Sequence, residues 1–401
     1  MRSTLLPLAA TLAIQALVAM ATITVPVLAP AASAELHLSA GLIGLYVSLV
    51  YLGSMISSAA SADLIRRIGA IRFSQYCLVM CAAGLALLTF GTTPALVASA
   101  LVLGLGYGPI TPASSHILAK TTPPHMMSFV FSVKQTGVPL GGALAGIVVP
   151  PLVLLGGWRL GALAVAGLCV LTAVVAQSIR ADNDADRNPK WPISARGPFR
   201  SLALVASDAN VRRLALSSFF FSALQLCLTT YLVTYLANKL GYTLVEAGLM
   251  LAVATTAGIV GRIAWGAVAD RTGRPAAVLG CVGIAMAAAA GAMALSSPDW
   301  PRTAMIVLCA AFGGTAIGWN GVYLAEVARE APAGKTVEAT GGALFFTFFG
   351  VLITPPLFAA IVEGGGSYGL AFAVVAAPTL LCGLWLLARA APRAPRSATS
   401  A

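Results

Sequence analysis

Apolar runs of about 20 residues alternate with short polar turns along this chain, and each run is long enough to cross roughly 30 Å of hydrocarbon as a helix. Twelve helices are predicted, at 5–28, 41–62, 73–92, 95–118, 126–152, 159–178, 212–236, 246–269, 276–296, 303–325, 340–362 and 368–390. One long polar stretch interrupts them, from Arg180 to Arg213. Its Asp182, Asp184, Asp186, Pro189, Pro192 and Pro198 read as a tether. The expected fold is an all-α membrane protein of twelve transmembrane helices in two pseudo-symmetric six-helix bundles, 1–179 and 212–392. A cytoplasmic linker at 180–211 joins them, and a tail follows at 393–401.

The two halves echo each other. The offset that sets Asp63 against Asp270 also brings Ala40-Gly41-Leu42 onto Ala247-Gly248-Leu249, and Pro150-Pro151 is answered by Pro355-Pro356 at nearly the same offset. Internal repetition of a set of membrane segments marks secondary transporters, whose substrate site sits where the repeats meet.

Composition agrees: 59% of the 401 residues are hydrophobic and 9% charged, against roughly a quarter charged in a soluble domain. A formal charge of +11 would suggest a nucleic-acid partner in a soluble protein. Here the basic residues fall in alternate loops, with Arg66, Arg67, Arg72, Lys120, Arg180, Arg212, Arg271, Arg274, Arg329 and Arg393 on one side and only Arg159, Lys239 and Arg302 on the other. The positive-inside rule then places both termini and the linker in the cytoplasm; the basic balance is a topology signal that calls for no nucleic acid, and an inner-membrane location is expected. Arg2, the following apolar run and Ala32-Ser33-Ala34 imitate a secretory signal, but removing them would unpair the halves, so the segment reads as helix 1. The seven cysteines lie within predicted spans at no metal-ligand spacing and read as free, packed thiols.

The turn after helix 8, Gly266-Ala267-Val268-Ala269-Asp270-Arg271-Thr272-Gly273-Arg274, resembles the loop signature Gly-x-x-x-Asp-Arg-x-Gly-Arg of the major facilitator superfamily, and the resemblance extends over essentially the whole chain. Gly266 permits close backbone approach, Gly273 a tight reversal, and Asp270 places an anion suited to a helix N-terminus. The resemblance implies that Asp270 latches onto the start of helix 5, opened by Thr122-Pro123-Pro124, and holds the cytoplasmic side shut. The alternative is a cap that ties down its own loop. The first-half copy, Asp63, Arg67 and Gly69, departs from the signature: Ala59 replaces a glycine and Leu64-Ile65-Arg66 are inserted, which implies a weaker latch. The helix 4 arginine of many proton-driven drug exporters is absent from Ala98-Ser99-Ala100-Leu101-Val102-Leu103-Gly104.

Charges inside spans cost at least about 2.5 to 3.5 kcal/mol each and are functional candidates by default. Lys134 lies about eight residues into helix 5 and Arg262 about eight before the end of helix 8, roughly 12 Å deep. No carboxylate lies in the interior of any predicted span, so the missing counterion is assigned to the substrate, a small organic anion of the carboxylate class. Snorkelling of Lys134, or bonding of Arg262 to helix carbonyls, is the structural alternative. Gly261-Arg262-Ile263-Ala264-Trp265-Gly266 loosely resembles the corresponding stretch of monocarboxylate, oxalate/formate and cyanate-permease-type carriers. Gly258 stands where monocarboxylate carriers place an acid.

In the resembled fold Gln15, Tyr107, Gln225, Tyr231, Trp319 and Asn320 lie on cavity-lining helices and join Lys134 and Arg262 as candidate substrate ligands, interhelical bonding being their other use. His116 and Glu326 near the helix ends are candidates for titration. Gly137 and Pro139 in helix 5 offer close packing and a place to bend, and are assigned, with the two loop motifs, to gating. The Phe345–Phe349 cluster is either a gate or lipid-facing packing. No nucleophile with its base, metal set or phosphate loop supports an enzyme, and no cofactor is expected.

The reading is therefore a monomeric secondary carrier that rocks its two bundles around a small organic anion, as proton symporter or anion exchanger. Efflux of apolar or cationic compounds, and a non-transporting membrane sensor, are the alternatives.

Overall fold

The computed structural model describes residues 2–36, 42–194, 196–364 and 366–388. Expectations placed on Ala40, Gly41 and the tail 393–401 lie outside them. The described chain forms α1 (Arg2–Leu36), α2 (Leu42–Ile68), α3 (Ala70–Leu88), α4 (Thr93–Tyr107), α5 (Ile110–Thr121), α6 (Met127–Gln135), α7 (Gly137–Val175), α8 (Arg180–Asn183), α9 (Gly197–Ser207), α10 (Ala209–Leu240), α11 (Leu244–Thr272), α12 (Pro275–Ala294), α13 (Arg302–Ala316), α14 (Asn320–Glu330), α15 (Thr336–Glu363) and α16 (Tyr368–Ala388). No strand occurs among the described residues.

Among the described residues eleven continuous helical stretches are long and apolar enough to span a membrane. One of them, Pro124–Asn183, has 60 residues, about 90 Å of helix and far more than one crossing needs. It leaves helical geometry at Gly156 and Gly157, the latter with φ 78°, between the fifth and sixth predicted helices. The sheer count of spans therefore agrees with the sequence pattern.

Three of the predicted helices are interrupted. The fourth predicted helix divides into α4 and α5 at Gly108-Pro109, the tenth into α13 and α14 at Ile317-Gly318-Trp319, and the fifth into α6 and α7 at Thr136. Close approach and proline chemistry account for the first and third. A Cβ at Gly108 would lie 2.3 Å from the Ser54 carbonyl oxygen, and Pro139 cannot donate to the preceding turn.

Two apolar cores result. One is built between Ile14 and Ile179 and admits Val337 from α15; the other runs from Val205 to Leu386 and admits Leu118, Met127, Val130 and Phe131 from α5 and α6. Each half thus inserts a few side chains into the other at the end that carries the linker, here called the linker face. Across that contact Ser132 of α6 sits in a notch of two glycines: a Cβ at Gly321 would lie 2.2 Å from Ser132 Cα, and one at Gly266 2.5 Å from Ser132 Oγ. The expected role of Gly266 in close approach is visible in this notch.

The linker differs from a plain tether. Its α9 packs between α2 and α15, with Ser201 Oγ donating to Ala59 O at 2.8 Å and a Cβ at Gly342 lying 2.5 Å from Ser201 O. Asp184 accepts from the amides of Ile71 (2.8 Å) and Arg72 (3.0 Å), and so caps α3 from outside. Asp186 meets His116 at 2.8 Å and also Lys120. Burial works against its charge, but these two partners hold the Asp186 carboxyl below the usual range.

The seven cysteines are free; six are buried as packed groups, and Cys281 is exposed on α12.

Two substitutions test this packing. Gly69 has φ 96° and would aim a Cβ within 2.3 Å of Asp184 Cγ, so Gly69→Ala is expected to destabilise the protein by about 1–3 kcal/mol, read as a lower melting temperature in detergent. Gly321→Ala is expected to wedge the linker face apart and raise maleimide labelling of a cysteine placed at Ser128, whereas Gly248→Ala, with nothing within 4 Å of its Cβ position, leaves labelling unchanged.

Candidate substrate site

Breaks in membrane helices expose backbone carbonyls, and buried carbonyls need donors. Arg262 of α11 supplies two. Its Nε donates to Ile317 O at 3.0 Å, in the break between α13 and α14, and its Nη1 donates to Gln135 O at 2.5 Å, at the end of α6 in the other half. Lys134, one residue before Gln135, directs Nζ to Gln15 Oε1 at 2.7 Å, Gln135 Oε1 at 3.1 Å and Thr111 Oγ1 at 3.5 Å. The two cations therefore converge on one residue, Gln135, from opposite halves.

Both side chains are almost sealed, 1% exposed for Lys134 and 3% for Arg262. Among the described residues neither forms an ion pair with a carboxylate. Neutral oxygens take three hydrogen bonds from Lys134 and two from Arg262 without cancelling either charge, and two such charges in a membrane interior represent about 5–7 kcal/mol of unfavourable burial. The structural alternative for Arg262, bonding to helix carbonyls, is thus realised in this conformation, while snorkelling of Lys134 is not.

Gln225, Trp319 and Asn320 come together as one group. Gln225 Oε1 accepts from Trp319 Nε1 at 3.0 Å and from Asn320 Nδ2 at 3.1 Å, and the Asn320 amide also reaches Ile317 O at 3.5 Å, the carbonyl that Arg262 holds. Tyr107 lies with Tyr51 against Phe348, ring centroids 6.1 Å apart in each case. The two tyrosines line one end of a small cavity, about 90 Å³, shared with Thr22, Pro26, Tyr46 and Val50. Tyr46 is engaged by Ser99 at 2.7 Å, but the hydroxyls of Tyr51 and Tyr107 have no hydrogen-bond partner among the described residues. Tyr231 is not brought to this group: it donates to Pro355 O at 2.6 Å and stacks on Phe358 at 4.3 Å inside the second half.

At the linker face Asp270 accepts from the amides of Ser128 (3.0 Å) and Phe129 (2.7 Å) at the start of α6, and from Arg329 Nη2 at 3.0 Å. A carboxylate on a helix N-terminus is favoured by the unpaired amides and the dipole together. Asp63 makes no matching contact with α15. It accepts from Trp191 Nε1 (3.0 Å), the Ser194 amide (3.1 Å) and Arg200, all in the linker. The contact across the halves comes instead from the inserted Arg66, which pairs with Glu338 in the first turn of α15 and sits over Trp191. Gly137 packs α7 against α1 beside Gln15, a Cβ there lying 2.9 Å from Leu12 O. Arg67, Arg271, Gly273 and Arg274 lie at the exposed turns, where Gly273 has φ 63°. Of the Phe345–Phe349 cluster, Phe348 meets the first half, while Phe345 and Phe349 pack on each other and Phe349 on Phe219.

Sequence reasoning missed Gln135, Tyr51, Arg329 and Arg66. Gln135 carried a readable signal, since a proline four residues on always frees its carbonyl. The other three depend on helix phase and on the docking of the linker.

The sequence profile described as the Major Facilitator Superfamily matches residues 11–348. An uncharacterized MFS-type transporter of Mycobacterium tuberculosis (strain CDC 1551 / Oshkosh) is 26% identical over 73% of this chain and 62% of its own length, so the chain spans less than two thirds of that relative. The cis,cis-muconate transport protein of Acinetobacter baylyi is 26% identical over 70% of this chain and 68% of its own. The fold is similar to that of the fucose:proton symporter of E. coli, with a TM-score of 0.75 and 16% identity, covering 96% of this chain and 99% of that one. With the profile matching most of its length, the chain belongs to the Major Facilitator Superfamily, and its long apolar helices are those of a multi-pass membrane protein.

Proposed function

We propose that the protein carries a small organic anion of the carboxylate class across the inner membrane by alternating access, with the linker face in the cytoplasm. The observation that carries this reading is the pair Lys134 and Arg262, buried beside Gln135 with only neutral oxygens as partners. A carboxylate arriving there supplies the charge that the protein lacks, and the planar guanidinium of Arg262 matches it geometrically. The cavity beside Tyr51 and Tyr107 would take the body of the substrate, and its volume of about 90 Å³ favours a compact molecule. The muconate protein among the relatives, named for an organic anion, supports the same substrate class. The locked linker face, with Asp270 on α6 and Arg66 on Glu338, corresponds to a state closed to the cytoplasm. The cytoplasmic placement rests on the basic residues gathered at that face. Exchange of one anion for another needs no titrating group, and proton symport would move the proton with the substrate.

Acetate, succinate, benzoate and cis,cis-muconate form a suitable panel. At least one is expected to raise the melting temperature of the purified protein and to be taken up by proteoliposomes. Arg262→Ala is expected to weaken that response at least tenfold, the loss of a charge-assisted pair, and Lys134→Ala to weaken it in the same direction. Equal responses of wild type and Arg262→Ala to all four would defeat the reading, and stabilisation by lipophilic cations alone would favour efflux. Tyr107→Phe is expected to raise the KM for the transported anion a few-fold with little change in maximal rate, since it removes one neutral hydrogen bond of about 1 kcal/mol; an unchanged KM would take Tyr107 out of the site.

A further inference from the structure

We propose that Arg262 is also the latch between the two halves, seated on a carbonyl that Pro139 sets free, and that the arriving anion releases it; the release clause rests on the substrate reading above. In an unbroken helix the Gln135 carbonyl would accept from the amide of residue 139, but a proline there has no N–H. The carbonyl is left deep in the protein without its helical donor, a condition that buried backbone groups rarely tolerate. The donor arrives from the other half. Arg262 anchors its Nε on Ile317 O within its own bundle and reaches across with Nη1 to Gln135 O. A straight helix at 135–139 would give the Gln135 carbonyl a donor of its own and remove its need for the guanidinium.

Two features make this contact a latch rather than a permanent weld. Gln135 O and Ile317 O lie at the C-terminal ends of α6 and α13, where helix dipoles present partial negative charge. A carboxylate presents a full one to the same guanidinium, so it competes for Arg262 with both carbonyls. Lys134, tied to the Gln135 side chain at 3.1 Å, is drawn into the same exchange of partners. The empty carrier is accordingly held shut at the linker face and turns slowly, and a carrier holding its anion is freed to turn. Such behaviour favours exchange of anions over leakage.

The test uses the full chain with Cys281→Ser, which removes the one exposed cysteine, and spin labels at His125 and Lys335, exposed at the linker face on opposite halves. In the absence of anion, pulsed-EPR distances are expected to show one short population. Arg262→Gln should raise the separated population roughly tenfold, as for the loss of a hydrogen bond to a charged group. Pro139→Ala restores the helical donor, folds without strain, and should act in the same direction by roughly threefold. The double variant should match Arg262→Gln alone, because both changes act on one bond. A Pro139→Ala distribution equal to wild type, or effects of the two changes that add in full, overturns the latch. The four carboxylates of the panel separate the two proposals. If a member stabilises wild type through Arg262 while Pro139→Ala changes nothing, the latch falls and the substrate reading stands. If Pro139→Ala separates the faces and no carboxylate does, the latch stands and anion release falls.

Discussion

Two positive charges enclosed at the junction of the halves, answered only by amide, hydroxyl and carbonyl oxygens, are the constraint on which the rest of this molecule turns. Hydrogen-bond satisfaction and charge neutralisation are different requirements. Gln15, Thr111, Gln135 and Ile317 supply oxygens toward the first for Lys134 and Arg262 and leave the second unmet, which is costly in a low-dielectric interior. The helix breaks belong to the same arrangement. They turn ordinary backbone carbonyls into acceptors at mid-depth, and they do so at the places where α6 and α13 end.

The linker face shows how far the internal repeat has diverged. Asp270 sits on the first amides of α6, while its counterpart Asp63 has been captured by Trp191, Ser194 and Arg200 of the linker. The three inserted residues bring Arg66 to Glu338 instead. One half is therefore held by a carboxylate on a helix end, and the other by a salt bridge backed by the docked linker. Because α9 lies between Ala59 and Gly342, any rocking of the bundles must slide past or carry this helix.

Much of this was legible in the sequence. Spans follow from hydrophobic run length, since a bilayer imposes one length on every crossing helix, and Asp270 follows from a turn whose glycines and anion have few other uses. Lys134 and Arg262 stood out because charge in a membrane is rare. Their partners were less visible. Tyr231 is on a plausible helix but bonds Pro355 within its own half, a matter of helix rotation that no local pattern encodes. The linker reads as polar and proline-rich, and its order comes from long-range capping by Asp184 and Asp63. The break at Ile317 has no proline to announce it.

The most direct measurement is a structure of the carrier with a stabilising carboxylate bound. The account predicts the carboxylate within about 3 Å of the Arg262 guanidinium or the Lys134 ammonium, with the bond from Arg262 to the Gln135 carbonyl broken. An anion bound elsewhere, with both cations still on the partners described above, would contradict it.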